Sequence, residues 1–204
     1  MTLPFIVFEG GEGSGKSTAS AAVAAALREA GHAVVHTREP GGTEAGEAVR
    51  TLLHLPLAPW AEAFAFLVAR AQVVEQVIRP SLEQGQIVIC DRYEASFLAY
   101  QGFGRSLNRA QLQSANETAT GGLHPSLTVF LDLDPAIGLA RKRGEDEAIR
   151  IGLETLEFHH RVRTGYHTLM SEAPAGTWRL LDATLPPAQI AAHATEAVRA
   201  LLTA

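Results

Sequence analysis

The fold of this chain is decided by the stretch Gly10-Gly11-Glu12-Gly13-Ser14-Gly15-Lys16-Ser17. It follows the apolar run Phe5-Ile6-Val7-Phe8 and precedes an alanine-rich segment, 18–27, with strong helical propensity. A strand before and a helix after are the context in which G-x-x-x-x-G-K-[ST] forms a phosphate-binding loop. The backbone amides of such a loop, together with the helix N-terminus, attract phosphate oxygens. We therefore predict a nucleoside triphosphate site here.

Two side chains of this loop have predicted roles of their own. Lys16 can reach the β- and γ-phosphates, and the hydroxyl of Ser17 can bind Mg²⁺. The alternative is a glycine-rich turn without a ligand, which the matching strand and helix on either side make the weaker interpretation. The predicted triphosphate-binding residues are Gly10, Gly11, Glu12, Gly13, Ser14, Gly15, Lys16, Ser17 and Thr18.

Composition restricts the class of protein. The chain has 204 residues, 47% of them hydrophobic, which predicts one domain spanning 1–204. A net charge of −5 with dispersed arginines argues against a general nucleic-acid binder. The single cysteine, Cys90, lies in an apolar run and is predicted to pack in the core. No leader or membrane span is recognised, so we expect a cytoplasmic protein without a membrane partner.

Alternating apolar runs and helical patterns predict an α/β fold with a five-stranded parallel sheet. The runs are nearly continuous in apolar residues, as in strands that are buried on both faces. The predicted strands are Leu3 to Phe8, Ala33 to Thr37, Ile87 to Cys90, Leu127 to Leu133 and Trp178 to Leu181. The predicted helices are Thr18 to Ala30, Glu44 to Leu53, Trp60 to Glu83 and Arg109 to Thr120.

Polar residues follow these strands, where ligands of open α/β sheets bind. Asp91 is predicted to hold Mg²⁺, with a helix N-cap as its alternative role. Arg92 is predicted to grip a second phosphate, although an ion pair with Asp91 is also possible. Arg38 and Glu39 follow the second strand, beside several glycines. Without those glycines, a functional role and a solvated surface pair would be equally good interpretations.

Two further segments are open to two interpretations each. Phe66 and Arg70 share one face of a predicted helix, which favours either base stacking or simple core packing. The highly charged stretch 141–150 favours a lid that closes over a triphosphate, with a solvated connector as the alternative. We place this lid segment at about 141–153.

Three motifs together resemble the thymidylate kinase family over nearly the whole chain. They are Phe-Glu-Gly-Gly-Glu-Gly-Ser-Gly-Lys-Ser at 8–17, Thr-Arg-Glu-Pro-Gly-Gly-Thr at 37–43, and Asp-Arg-Tyr-Glu-Ala-Ser-Phe-Leu-Ala-Tyr-Gln-Gly at 91–102. The resemblance implies a P-loop nucleoside monophosphate kinase fold that transfers the γ-phosphoryl group of ATP to dTMP, with Mg²⁺ as cofactor. It also implies a homodimer formed by helix packing.

The resemblance further implies roles at matching positions of the dTMP site. Phe66 corresponds to the residue that stacks on thymine, Arg70 to the donor to its O4, and Gln101 to a partner of the base edge. Tyr100 corresponds to the aromatic under the deoxyribose, and Glu12 to the acid at the sugar 3′-hydroxyl. The remaining dTMP-site positions are Arg50 and Arg92 at the phosphate, Glu39 near phosphate and metal, and Ser96.

On the ATP side, the resemblance assigns the adenine ring to Arg141 and Ala183. The phosphate loop contains no arginine, so the chain resembles the bacterial type in which lid arginines, here Arg143 and Arg150, act with Lys16 and Arg92 in catalysis. Relatives commonly read Asp-Arg-Ile-Glu around the lid arginine, whereas this chain has isoleucine at 149 and glycine at 152. The two acids are therefore absent.

Two other functions are compatible with a phosphate-binding loop. One is a kinase for another nucleoside monophosphate or small acceptor. The other is a nucleotide switch, which would be expected to carry a guanine-recognition pattern such as Asn-Lys-x-Asp, and this sequence has none.

Overall fold

The computed structural model describes residues 4–142 and 154–203 and contains a five-stranded, fully parallel sheet. The strands are β1 (Phe5–Gly10), β2 (Val34–Arg38), β3 (Ile87–Asp91), β4 (Leu127–Asp132) and β5 (Trp178–Asp182). Their order is β2-β3-β1-β4-β5, which puts β1 and its phosphate-binding loop at the centre. The predicted α/β fold with a five-stranded parallel sheet is confirmed.

Helices cover both faces of the sheet. They are α1 (Lys16–Glu29), α2 (Glu44–Leu52), α3 (Pro59–Val73), α4 (Arg79–Glu83), α5 (Glu94–Phe97), α6 (Arg109–Thr120), α7 (Pro135–Lys142), α8 (Leu156–Glu172) and α9 (Pro187–Thr203). Two stretches, Val74–Ile78 and Leu98–Gly104, are π-helical. In the parts of the chain described above, no helix combines the length and the apolar content that crossing a membrane would require.

The central strand explains why the strands read as continuous apolar runs. Ile6 and Phe8 pack into the cluster that includes residues of α1 and α9. Phe5 and Val7 point to the opposite face, where they pack with Cys90 and with residues around the end of α3. Because both faces of β1 are covered, every position is buried and no polar alternation remains. The predicted core position of Cys90 is confirmed.

The predicted helix from Trp60 to Glu83 is helical throughout, but it is not a regular α-helix along its whole length. It divides into α3, the π-helical stretch Val74–Ile78 and α4. Pro80 gives the physical reason, because a proline lacks the amide hydrogen and its ring collides with the carbonyl four residues earlier. A π-helical turn just before a proline relieves this conflict without ending the helix.

Four strands end on a polar residue beyond the apolar run. Arg38 ends β2, Asp91 ends β3, Asp132 ends β4 and Asp182 ends β5. Arg38 pairs in register with Asp91, and Asp91 pairs in register with Phe8 of β1. The charged strand ends therefore lie along one edge of the sheet, beside the phosphate-binding loop that follows β1.

The phosphate-binding loop packs directly against α7, backbone to backbone. A Cβ placed on Gly138 of α7 would lie 2.1 Å from the carbonyl oxygen of Glu12, and one on Gly13 would lie 2.1 Å from the carbonyl oxygen of Gly138. Real Cβ atoms do not approach this closely, and backbone atoms cannot rotate away as side chains do. Glycine at both positions therefore sets the distance between the loop and α7.

We predict that Gly138→Ala destabilises the protein. An added Cβ must push α7 away from the loop, and overpacking of this kind costs about 1–3 kcal/mol. At roughly 2–4 °C per kcal/mol for a chain of this size, the melting temperature falls by several degrees in thermal denaturation. Ala140→Ser, an exposed position on the same helix, is the matched control and keeps the wild-type value. An unchanged melting temperature for Gly138→Ala would contradict the packing argument.

Candidate active site

Lys16 lies buried at the start of α1, with only 6% of its surface exposed. Its Nζ donates a hydrogen bond to the carbonyl oxygen of Gly11 at 2.6 Å and to Ser14 Oγ at 3.3 Å. Burial, reinforced by the nearby charge of Arg92, lowers the pKa of Lys16 to about 8. The ammonium group is therefore poorly solvated and is available to an anion held by the loop.

Ser17 and Asp91, the two predicted metal ligands, lie side by side. Ser17 Oγ donates a hydrogen bond to Asp91 Oδ2. The other carboxylate oxygen, Oδ1, is buried, and no side chain or backbone group in residues 4–142 and 154–203 donates to it. The alternative role of Asp91 as an N-cap is wrong, because α5 begins at Glu94 and Tyr93 occupies the cap position.

Arg92 points its guanidinium group at the phosphate-binding loop. Its backbone has the left-handed φ of 68°, which is uncommon for a residue with a side chain. Nη2 donates to Glu12 Oε1 at 2.5 Å, while Nη1 donates to Ser96 Oγ at 3.2 Å and to the carbonyl oxygen of Gly10 at 3.3 Å. Arg92 thus pairs with Glu12, and the alternative pairing with Asp91 is not what the structure has.

Glu12 collects several donors. Its carboxylate accepts a hydrogen bond from the hydroxyl of Tyr100 at 3.0 Å and lies 3.0 Å from Nζ of Lys142. Burial alone would raise the pKa of Glu12, but the positive charges of Arg92, Lys16 and Lys142 hold it well below its usual range. Glu12 therefore stays ionised throughout the neutral range.

A cavity opens beside Glu12 and Arg92. It is lined by Glu12, Glu39, Pro40, Phe66, Arg70, Arg92, Ser96, Phe97, Tyr100 and Gln101. This set contains every residue predicted for the dTMP site except Arg50, which lies half-buried on α2 and does not line the cavity. The structure therefore brings together residues that are far apart in the sequence, on α3, around α5 and on the loops after β1 and β2.

Arg70 and Glu39 form a buried ion pair at this cavity, with Arg70 only 2% exposed. Nε of Arg70 donates to Glu39 Oε2 at 2.7 Å, and Nη1 donates to Asn116 Oδ1 at 3.0 Å. Burial raises the pKa of Glu39 to about 7, against the opposing charge of Arg70. The neighbouring Arg38 pairs instead with the exposed Glu47, so Arg38 and Glu39 do not form a pair with each other.

Arg141 lies on the other side of the phosphate-binding loop. Its Nη1 donates to the carbonyl oxygen of Ala183 at 3.0 Å and to that of Gly13 at 3.3 Å. A second cavity of about 330 Å³ is located here, lined by Gly13, Ser14, Gly15, Thr18, Ala19, Arg141, Leu185, Pro187 and Ile190. The predicted lid residues Arg143 and Arg150 lie outside the described residues.

Glu9 is an important residue that our sequence reasoning missed. It is fully buried at the end of β1, and its Oε1 accepts hydrogen bonds from the backbone amides of Tyr93 and Ser96 at 2.9 and 3.1 Å. Its Oε2 accepts from the hydroxyls of Ser96 and Tyr166. An acid that interrupts a buried apolar run was the available signal, because such a charge requires partners inside the protein.

Three polar residues around the site were also not predicted. Glu62 contacts Gln101, Asn116 contacts Arg70, and Arg105 contacts Glu62. Nothing in their local sequence marks them, since each acquires its partner only when distant segments pack. Among the described residues, no group of three or more histidine, cysteine, aspartate or glutamate side chains could hold a metal ion by itself.

Comparison with known proteins agrees with this geometry. The sequence profile of the thymidylate kinase family matches residues 8–193. A thymidylate kinase of Thermomicrobium roseum is 50% identical over 190 residues, covering 92% of this chain and 90% of the relative. A thymidylate kinase of a Synechococcus strain is 48% identical over 202 residues, covering 98% of this chain and 97% of the relative.

A solved structure agrees as well. The thymidylate kinase of Ehrlichia chaffeensis superposes with a TM-score of 0.77 at 30% sequence identity, covering 96% of this chain and 98% of that one. Both the phosphate-binding loop and the cavity beside it fall within the matched region. The chain therefore belongs to the thymidylate kinase family.

Proposed function

We propose that this protein transfers the γ-phosphoryl group of ATP to dTMP, giving ADP and dTDP. The observation that carries the proposal is the cavity beside the phosphate-binding loop, which has Phe66, Arg70 and Gln101 in one part and Glu12 and Arg92 in another. An aromatic ring with polar partners suits a base, and a guanidinium group next to the loop suits a phosphate. The acceptor phosphate would then face the bound triphosphate.

In the acceptor site, Phe66 stacks on thymine while Arg70 and Gln101 bind the base edge. Tyr100 lies under the deoxyribose, where it would crowd a 2′-hydroxyl, and Glu12 binds the 3′-hydroxyl. Arg92 holds the phosphate with Ser96, and Glu39 lies near the phosphate and metal. Arg50 is assigned to the phosphate by the family resemblance alone, since it does not line the cavity. The existing hydrogen bonds of Arg92 to Glu12 and Ser96 support this arrangement, since they already fix its guanidinium group at the loop.

In the donor site, the loop from Gly10 to Thr18 cradles the triphosphate and Lys16 reaches its β- and γ-phosphates. Arg141 lines the second cavity and donates a hydrogen bond to the carbonyl oxygen of Ala183. The adenine ring would lie against Arg141, with the loop of Ala183 on its other side. Arg143 and Arg150 are proposed to neutralise charge on the transferring phosphoryl group, a role that rests on the sequence alone.

The residues present fit a Mg²⁺ ion. Mg²⁺ prefers hard oxygen ligands, and P-loop enzymes supply them from a loop serine and a carboxylate at a strand end. Ser17 Oγ and Asp91 lie in contact, and the buried Oδ1 of Asp91 has no other partner among the described residues. When bound, the ion would be held by Ser17 and Asp91 and would offset negative charge on the triphosphate.

No general base is required in the proposed reaction. A phosphate monoester has a second pKa near 6, so the dTMP phosphate is mostly a dianion at neutral pH and is itself the nucleophile. Glu12, Arg92 and Lys16 therefore act by holding and orienting the two substrates. Positioning and charge neutralisation provide the rate enhancement.

We predict that dTMP is the preferred acceptor in a coupled assay of ATP consumption with a panel of nucleoside monophosphates. Lys16→Ala should lower turnover by about 10² to 10³ or more, because charge stabilisation in the transition state is lost. Thermal melting and circular dichroism verify that this variant is folded. A clear preference for another acceptor would replace dTMP, and ATP hydrolysis independent of any acceptor would overturn the kinase assignment.

We predict that Arg70→Ala impairs use of dTMP while leaving MgATP binding near the wild-type value. Losing a charge-assisted hydrogen bond to the base costs roughly 1.5–3 kcal/mol, about tenfold to a hundredfold in kcat/KM for dTMP. The matched control is Arg38→Ala, which removes the exposed arginine at the end of β2, next to Glu39.

The Arg70→Ala variant leaves Glu39 buried without its cation, which could destabilise the fold. The melting temperature of the variant is therefore measured alongside its MgATP affinity. Unchanged dTMP kinetics with weakened ATP binding would mean that the base lies in the other cavity.

We also propose that the protein forms a homodimer through α2 and α3. These helices and the connection between them expose large apolar side chains, with Phe64 56% exposed; the residues are Leu52, Leu55, Phe64 and Val68. Phe64 and Val68 are four residues apart on one exposed face of α3, about 100° around the helix from the buried Ala63 and Leu67. Exposed apolar surface on adjoining helices suits an isologous contact with a second copy of the chain.

We predict that Phe64→Glu converts the dimer to a monomer in sedimentation or light-scattering measurements at micromolar concentration. A buried carboxylate facing its symmetry mate is unfavourable in an isologous interface. Leu156→Glu, which changes a similarly exposed residue on α8, is the control and should leave the dimer intact. A monomeric wild-type protein, or a dimer that survives Phe64→Glu, would contradict this interface.

A further inference from the structure

A chain of buried polar contacts leads away from the acceptor cavity through Gln101. This residue lines the cavity and is only 1% exposed. Its amide nitrogen, Nε2, donates a hydrogen bond to Glu62 Oε1 at 3.0 Å. Glu62 is itself buried on α3 and does not line the cavity, so it touches Gln101 from behind.

Arg105 holds Glu62 in place. Its Nε donates to Glu62 Oε1 at 3.0 Å and its Nη2 donates to Glu62 Oε2 at 2.9 Å. The third donor of the same guanidinium group, Nη1, binds Glu154 at 2.7 Å, and the guanidinium lies 4.9 Å from the centre of the Phe158 ring. A two-pronged contact of this kind fixes the position of the Glu62 carboxylate.

The charge on Glu62 decides which way the Gln101 amide faces. An ionised carboxylate accepts hydrogen bonds and has no proton to donate, so only the NH₂ end of the amide can bind it. The carbonyl oxygen of Gln101, Oε1, is thereby left as the amide's acceptor for a ligand in the cavity. The orientation of a glutamine amide follows from its hydrogen-bond partners, and here the Glu62 carboxylate sets it.

We infer that Glu62 is a positioning residue that sets the acceptor preference by presenting the Gln101 oxygen to the base. The inference rests on the proposed function and refines it. Thymine and uracil carry a hydrogen on N3, which an amide oxygen accepts. Cytosine carries a lone pair on N3 instead, so the oxygen of Gln101 would repel it. The site therefore prefers 4-oxo-pyrimidines, and Glu62 sets this preference without touching the substrate.

The test is Glu62→Gln, with kcat/KM measured for dTMP and for dCMP. A glutamine at 62 keeps the size and can offer either its oxygen or its NH₂ group to Gln101, so the Gln101 amide populates both orientations. We expect the ratio of kcat/KM for dTMP to that for dCMP to fall by about tenfold. The reason is that the site would no longer distinguish a base with a hydrogen on N3 from one with a lone pair there. MgATP affinity should not change.

Glu154→Gln is the matched control, because it removes the other ion pair of Arg105 and leaves Glu62 and Gln101 intact. Its acceptor ratio should equal that of the wild type. If Glu62 only supported folding, Glu62→Gln would lower the melting temperature and the use of both acceptors equally, and an unchanged ratio would overturn the inference.

A double variant, Glu62→Gln with Gln101→Glu, provides a rescue experiment. It exchanges the amide and the acid, so the carboxylate at 101 presents an acceptor oxygen to the cavity in either orientation. The dTMP preference should return toward the wild-type ratio, and a ratio that stays at the level of Glu62→Gln would count against the inference. Failure of the proposed function is distinguishable from all of these results, because the wild-type protein would then not use dTMP.

Discussion

The active site depends on the buried carboxylate of Glu9. It sits at the end of the central strand and binds the chain just after β3 through two backbone amides and one hydroxyl, and α8 through the hydroxyl of Tyr166. Burial raises the pKa of Glu9, although its hydrogen bonds with Ser96 oppose the shift. Without these donors, burying the carboxylate would destabilise the folded protein, because a buried charge without hydrogen bonds loses its solvation and gains nothing in return. Glu9 therefore holds three segments of the site in fixed relation.

The contacts of Glu9 help to fix the backbone of Arg92. This residue has a left-handed conformation and lies between Asp91, the last residue of β3, and Tyr93, whose amide donates to Glu9. The amide of Arg92 also donates to the carbonyl oxygen of Phe8 at 2.9 Å, which ties the turn to β1. An uncommon backbone conformation persists where surrounding contacts determine it more than once. The guanidinium group is thus aimed at the loop before any phosphate arrives.

The cations around the cavity have acid partners of their own. Arg70 pairs with Glu39, Arg92 with Glu12, and Arg105 with Glu62. Such pairs orient the guanidinium and carboxylate groups and avoid burying an uncompensated charge. Under the proposed function, the dTMP phosphate would share Arg92 with Glu12, while the base would meet arginine and amide groups whose directions are already fixed. The selectivity of the site then depends on residues behind the cavity as much as on those that line it.

The phosphate-binding loop and the five strands could be predicted from local patterns: apolar runs mark buried strands, and the glycines of the loop mark backbone turns that other residues cannot make. Most residues of the cavity could be named only through the resemblance to the thymidylate kinase family. The motif at 91–102 also identified cavity residues, although it gave no reason for Glu62 to lie behind Gln101. The π-helical break before Pro80 was within reach of the same local reasoning, since a proline inside a helical pattern predicts a disruption.

The pairing of charged side chains depends on the folded arrangement of the chain. Arg38 and Glu39 are adjacent in the sequence yet take different partners, because successive residues near the end of a strand point to different sides. Glu9 meets Tyr166 across 157 positions of sequence, and Arg92 meets Glu12 across 80. A hydrogen bond forms only when two atoms come within about 3 Å of each other. Strand register and helix packing set such distances, and no local pattern of residues specifies them.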